Sequence, residues 1–81
     1  MDRLDVARSI AVSVRECLAD AARSQKSLAD ETGIPYTTLT RKLQGKSEFS
    51  FSELLVISEA LGVAPHLLVP PLFKPGKQGA Q

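Results

Sequence analysis

The chain has 81 residues, of which 43% are hydrophobic and 23% are charged, and its formal net charge is +1. This length supports one domain with one small core and excludes a second core. The single cysteine, Cys17, excludes an intrachain disulfide and a cysteine metal cluster, and we expect it to be a small buried hydrophobic residue.

No signal-peptide pattern is present, and no apolar run approaches the roughly 18 residues of a membrane span. We therefore expect a cytoplasmic protein without a membrane partner. No alternating pattern predicts a strand, so the expected fold class is all-α.

The first predicted element is an amphipathic helix from Asp2 to Arg23. Its apolar residues recur at the i, i+3, i+4 and i+7 positions of one buried stripe. Val6, Val12 and Cys17 widen that stripe. Arg23 suits the negative end of the helix dipole. The stripe itself comprises Leu4, Ala7, Ile10, Ala11, Val14, Leu18 and Ala21.

Two short helices with a tight break between them are predicted next. Ser24 is the expected N-cap of helix 2, and Gly33 tolerates the left-handed conformation that ends helices. Pro35 fits the first turn of helix 3, because the N–H that proline lacks would have no partner there. Helix 3 is predicted to end at Gly45.

Helix 3 has two chemically different faces. Leu39 and Leu43 lie four residues apart and therefore share the core face, as Leu28 and Ala29 do for helix 2. A short helix with an apolar back and hydrogen-bonding groups in front is suited to read base edges in a DNA major groove. The predicted front comprises Tyr36, Thr37, Thr40, Arg41 and Gln44. All charged residues from 36 to 47 are basic, which predicts a local positive patch.

Helix 4 has the clearest start signal in the chain. Ser50 and Glu53 match a capping box, and Phe49 and Leu54 are spaced for a hydrophobic staple. The helix is predicted to end at Gly62.

A short helix 5 is expected at Pro65 to Leu68, where Leu67 and Leu68 would close the core. The following segment, PPLFKPGKQGAQ, has three prolines and two glycines and no apolar period. This composition predicts a flexible tail over residues 70–81, after one domain over residues 1–69.

Five helices with a tight second-to-third turn resemble the lambda-repressor-like fold of the Cro/C1-type helix-turn-helix family, also called XRE. The resemblance covers roughly residues 24–69, while helix 1 fits by position only. It rests on a joint pattern rather than on any single pair. The matching residues are Ser24-Gln25, Leu28-Ala29, Gly33-Ile34, Thr38-Leu39, Arg41, Gly45-Lys46 and Ala60-Leu61-Gly62-Val63.

The resemblance implies a sequence-specific regulator of transcription that binds double-stranded DNA, of the phage or bacterial repressor or Cro type. No cofactor, metal or small-molecule ligand is expected. A domain this small offers few contacts, so we expect a homodimer on a two-fold operator.

The resemblance also implies roles for individual side chains. Gln25 matches a glutamine that touches a phosphate and braces the recognition helix. The expected base contacts are Tyr36, Thr37, Thr40 and Arg41. The expected phosphate contacts are Ser24, Gln25, Thr38, Lys42, Gln44 and Lys46.

Three positions depart from the family pattern. Pro35 stands where many members have a capping serine. Lys42 and Leu43 reverse the usual apolar–polar order, and we expect Lys42 to gain exposure and to contact a phosphate. Glu48 stands where several members are basic, which weakens the expected attraction of this region to DNA phosphates.

Other interpretations remain open at this point. With a net charge near zero, the same fold also suits a protein-interaction module such as an antitoxin or an adaptor, for which Leu72 and Phe73 would matter more. Arg41 also fits a plain surface arginine, and the Tyr36 ring also fits packing against the turn. His66 is alone, and no nucleophile pattern is present, so we expect no enzyme activity.

Overall fold

A computed structural model of the chain describes the backbone of residues 3–69 and the side chains of residues 5–69. This part is all-helical, as predicted. It contains four α-helices and a 3-10 turn in place of the expected fifth helix. The elements are α1 (Arg3–Asp20), α2 (Gln25–Thr32), α3 (Tyr36–Leu43), α4 (Phe51–Leu61) and the 3-10 turn (Pro65–Leu68). The predicted tail, Asp2 and the side chain of Leu4 lie outside the described residues.

Helix α1 is shorter than predicted, because it ends at Asp20 rather than at Arg23. Ala22 adopts a left-handed φ of 56°. The backbone N–H of Arg23 then donates to the carbonyl of Leu18 at 3.1 Å, which closes the helix end in a Schellman arrangement. Ala21 therefore leaves the predicted stripe and is exposed.

The buried side of α1 is also narrower than predicted. Ala7, Ala11 and Val14 are buried as expected, but Val12 is 42% exposed. One residue step turns an α-helix by about 100°, so Val12 points away from the side that Ala11 occupies. Cys17 is half-buried against the core rather than fully buried.

The core lies between the four α-helices and the 3-10 turn, which packs against α1 and α4. Of the two leucines predicted to close it, Leu68 is fully buried but Leu67 is 51% exposed. A 3-10 helix has three residues per turn, so consecutive side chains point about 120° apart and only one of the pair can face the core. The largest fully buried side chains are Leu28, Leu39, Leu43, Ile57, Leu68 and Val14.

The predicted caps of α2 and α4 are confirmed. The Ser24 hydroxyl accepts from the N–H of Ser27 at 3.0 Å. At α4, the Ser50 hydroxyl accepts from the N–H of Glu53 at 3.1 Å, and the Glu53 carboxylate accepts from the N–H of Ser50 at 2.7 Å. Phe49 and Leu54 are both buried in the core, as the predicted staple requires. Local capping therefore sets where these two helices begin.

The turn after α3 packs directly on α1 through Gly45, which is buried and has a φ of 77°. A Cβ added to Gly45 would lie 2.6 Å from Cγ of Arg8 and 3.3 Å from its Cα. Gly33 has a similar φ of 79°, but an added Cβ there would meet nothing within 4 Å. The two glycines therefore share a backbone conformation and differ in their surroundings.

We expect Gly45→Ala to destabilise the domain more than Gly33→Ala. Both variants place alanine in the left-handed region, at roughly 1–2 kcal/mol each. Gly45→Ala also forces α1 away from the α3 turn, which adds about 1 kcal/mol or more. Urea unfolding of both variants measures this difference. Equal losses would show that the turn does not pack tightly against Arg8.

Candidate nucleic-acid interface

One side of helix α3, its back, is buried in the core, and the opposite side, its front, is exposed to solvent. Leu39 and Leu43 are at most 1% exposed and anchor the helix to the core. The preceding turn is held by Ile34, which is buried. The predicted recognition side chains that the structure leaves exposed are Tyr36, Thr37, Arg41 and Gln44.

Pro35 is the N-cap of α3 rather than a first-turn residue. Its φ of −56° and ψ of 140° are extended, and no side chain caps the helix at this end. The backbone N–H of Leu39 bonds to the Pro35 carbonyl at 2.9 Å, which begins the helix. The first-turn N–H groups of α3 therefore lack the side-chain partner that a capping serine would supply.

The other end of α3 is held by α1. A guanidinium N–H of Arg15 donates to the carbonyl of Leu43, the last residue of the helix. A cation at this end also suits the helix dipole. Gln44 and Lys46 follow and are both exposed. The C-terminal end of α3 is thus held by a residue of α1 that precedes Leu43 by 28 positions in the sequence.

The start of α2 is tied to the middle of α3. The Thr40 hydroxyl donates to Oε1 of Gln25 at 3.3 Å, and both residues are half-buried. This contact agrees with the bracing role that the family resemblance implied for Gln25. It also engages the hydroxyl of Thr40, which was expected to face bases. Ser24, expected at phosphate, is exposed, whereas Thr38 is half-buried.

Lys42 is not the exposed residue that we predicted, because its side chain is only 15% exposed. Its ammonium group donates to both carboxylate oxygens of Glu53, at 2.6 and 2.7 Å. Position 42 faces the first turn of α4, where the capping box already places that carboxylate. The Lys42-Leu43 order is therefore explained by the fold: Leu43 takes the core position and Lys42 joins α3 to α4.

Burial by itself raises the pKa of Glu53. The hydrogen bonds from Lys42 and from the Ser50 backbone, together with the Lys42 charge, outweigh burial, so the pKa lies below its ordinary value of 4.5. A carboxylate with a depressed folded-state pKa stabilises the fold above its unfolded-state pKa. That contribution is lost as the pH falls through the folded-state value.

We expect the wild-type chain to lose more stability than Glu53→Gln as the pH is lowered from neutrality to below about 4.5. The amide cannot be protonated in this range, so the variant lacks the Glu53 contribution at every pH. Urea unfolding as a function of pH measures both curves. If the curves ran parallel through the acid range, the depressed pKa of Glu53 would be refuted.

Arg41 differs from the other arginines near α3. Its side chain is exposed, and none of the ion pairs among residues 5–69 includes it. By contrast, Arg15 is engaged with the end of α3, and Arg23 bonds to Ser27 and Glu31 and to the carbonyl of Ala60. Arg41 thus presents an uncommitted guanidinium fork on the front of α3.

The sequence did not predict the side chains that hold α2 and α3 in place. Arg15 and Glu53 each hold α3 from another helix, and Arg23, expected at the end of helix 1, ties α2 to the last turn of α4. In the sequence, Arg23 had only a helix-dipole signal for the end of helix 1, and Glu53 had the capping box. That signal concerned the start of α4 and gave no sign of the bond to Lys42.

Two other features are absent from residues 3–69. No helix in this range combines the length and apolarity needed to cross a membrane. No group of three or more His, Cys, Asp or Glu side chains in the same range is placed to hold a metal ion.

Comparisons with known proteins place this geometry in a family. A search of curated proteins finds no match to the chain. The crystal structure of a hypothetical transcription factor, NHTF, from Neisseria is similar with a TM-score of 0.76 and 24% identity, over 99% of this chain and 88% of that one. At this identity the similarity shows a shared fold. A family model described as the Cro/C1-type HTH DNA-binding domain matches residues 13–66, about two thirds of the chain. The chain therefore belongs to the Cro/C1-type helix-turn-helix DNA-binding family.

Proposed function

We propose that this protein is a sequence-specific regulator of transcription that inserts α3 into the major groove of double-stranded DNA. The observation that carries the proposal is the open front of α3, presented by a helix with a fully buried back in a Cro/C1-type domain. The description of the Neisseria protein as a hypothetical transcription factor agrees with this function.

Base contacts are assigned to the exposed front of α3. The Arg41 fork matches the O6 and N7 acceptors of guanine. Tyr36 is 52% exposed at the first turn, where it can reach a base or a phosphate. Thr37 is small enough for close approach and can meet a thymine methyl group. Thr40 is the weakest member of this set, because its hydroxyl already bonds to Gln25.

Phosphate contacts are assigned to groups around α3 that position the helix without reading sequence. Lys46 and Gln44 are exposed after the helix, and the first-turn N–H groups at its start have no side-chain cap. Ser24, Gln25 and Thr38 complete the expected set. Lys42 is left out, because its charge is already paired with Glu53.

We propose a homodimer as the bound form. One recognition helix of about 12 Å, at 1.5 Å per residue, spans only part of a single major-groove face. Two copies on half-sites about 34 Å apart would double the number of contacts and match a two-fold operator.

Salt titration tests the proposed function. Fluorescence anisotropy on an operator chosen by selection from random DNA should show affinity falling steeply with salt. If only Arg41 and Lys46 of each subunit act, about four charges predict roughly a 100-fold loss between about 50 and 200 mM salt. Lys46→Ala should reduce the salt slope and weaken binding evenly across sequences. Binding that is flat in salt would contradict the DNA assignment.

A protein-interaction module, such as an antitoxin or adaptor, is the second candidate. It is favoured by apolar side chains that α4 leaves exposed: Phe51 is 76% exposed, and Leu55, one turn later, is 41% exposed. Such a module would not need the front of α3. Loss of partner binding in Phe51→Ser, with DNA binding absent from the wild-type chain, would favour this candidate.

A further inference from the structure

We propose that Glu53 withholds the charge of Lys42 from DNA phosphates and thereby limits the sequence-independent part of DNA affinity. This inference rests on the proposed DNA-binding function. It assigns to an acidic residue outside the recognition helix a role in setting the strength and the salt dependence of DNA binding.

The geometry shows a closed pair rather than a loose surface contact. The Lys42 ammonium group lies 2.6 and 2.7 Å from the two Glu53 oxygens. The side chains are 15% and 24% exposed, respectively. Glu53 is itself held in place, since one of its oxygens also accepts from the Ser50 backbone at 2.7 Å. The carboxylate is therefore fixed by its own helix and does not depend on Lys42 for its position.

The position of the pair gives it a consequence for DNA binding. Lys42 directly follows Arg41 on α3, about 100° around the helix, so its flexible four-carbon stem could carry its charge to a phosphate beside α3 if Glu53 did not pair with it. Phosphate attraction is independent of sequence and supplies most of non-specific affinity. Each lysine that neutralises a phosphate adds about 0.9 to the magnitude of the salt slope. A lysine whose charge is already neutralised by Glu53 adds little to this attraction.

Glu53→Gln tests this directly, because the amide keeps an oxygen for the Ser50 N–H but cannot neutralise Lys42. Glu59→Gln is the matched control: it makes the same charge change on the same helix, at an exposed residue. The readouts are the salt slope and the affinity of the full chain for random-sequence duplex DNA and for the selected operator. Unfolding curves report whether each variant is folded.

We expect Glu53→Gln to bind random DNA more tightly than Glu59→Gln at about 100 mM salt, by roughly fivefold to tenfold for each subunit that contacts the DNA, with a slope steeper by about 0.9 per subunit. Operator affinity should rise by a similar factor, because a phosphate contact acts evenly across sequences. Adding Lys42→Met to Glu53→Gln should reverse the gain. A purely structural role for Glu53 would not steepen the slope. Identical slopes in Glu53→Gln and Glu59→Gln would overturn the proposal.

A second variant decides the matter if Glu53→Gln does not fold. The double variant Lys42→Met with Glu53→Gln replaces the pair with two neutral side chains, so it should keep the wild-type salt slope if the lysine is withheld. It should lower that slope by about 0.9 per subunit if the lysine contacts a phosphate, which would overturn the inference but leave DNA binding intact. Absence of any salt-dependent DNA binding in the wild-type chain would instead sink the proposed function, and this inference with it.

Discussion

Arg41→Ala is expected to remove most of the preference for the operator over random DNA while leaving the fold intact. Arg41 is exposed and takes part in none of the ion pairs among residues 5–69, so its removal costs the domain little stability. A bidentate arginine–guanine contact contributes about 1–3 kcal/mol of discrimination per site. Two subunits on a two-fold operator would lose twice that amount. Competition binding with operator and random duplexes measures the loss.

Arg41→Lys is the matched control for this prediction. It keeps the positive charge, and therefore the attraction to phosphates, but it replaces the planar fork with a single ammonium group. We expect its salt slope to match that of the wild-type chain and its operator preference to fall. If Arg41→Ala kept the full operator preference, Arg41 would be an ordinary surface arginine, and the specificity would have to lie with Tyr36 and Thr37.

Leu68→Ala is expected to be among the most destabilising single substitutions in the described part of the chain. Leu68 is fully buried in the 3-10 turn, which packs against α1 and α4. Truncating a buried leucine to alanine costs about 2–5 kcal/mol, because a cavity remains where the side chain was. Domains of this size have roughly 4–12 kcal/mol of total stability. A fall of about 10 °C or more in Tm is therefore expected.

Leu67→Ala, one residue earlier, is the control. Its side chain is 51% exposed, so its truncation should change the free energy of unfolding by only about 0.5 kcal/mol. Thermal and urea unfolding of the two variants give the comparison. Similar losses in both would mean that the turn does not direct Leu68 alone into the core.

Helix α3 and the helix caps show what could be predicted well from the sequence. The Arg41 side of α3 was assigned from a period of 3.6 residues and from the position of Leu39 and Leu43, and the structure places all three as predicted. Periodicity works here because a helix with one buried side has a strict repeat. The caps at Ser24 and Ser50 were equally readable, since a capping bond spans only three residues.

The errors share a different physical origin. At the C-terminal turn, the apolar character of Leu67 and Leu68 could not say which one is buried, because that depends on the angle at which the turn meets α1 and α4. At the end of α1, Ala22 adopts the left-handed conformation, which alanine rarely does. The residue type at this position therefore did not predict the end of the helix. Both features follow from how packed elements meet rather than from local preference.

The sequence by itself determined where the four α-helices lie, the caps at Ser24 and Ser50 and the open front of α3, because each depends on residues within a few positions of one another. Only the tertiary structure decided how α3 is held and which cations are free to act. Arg15 reaches Leu43 across 28 residues, and Arg23 reaches Ala60 across 37. Lys42 meets Glu53 across 11 residues and becomes a paired support rather than an exposed charge. Such contacts join different elements, so no local pattern encodes them.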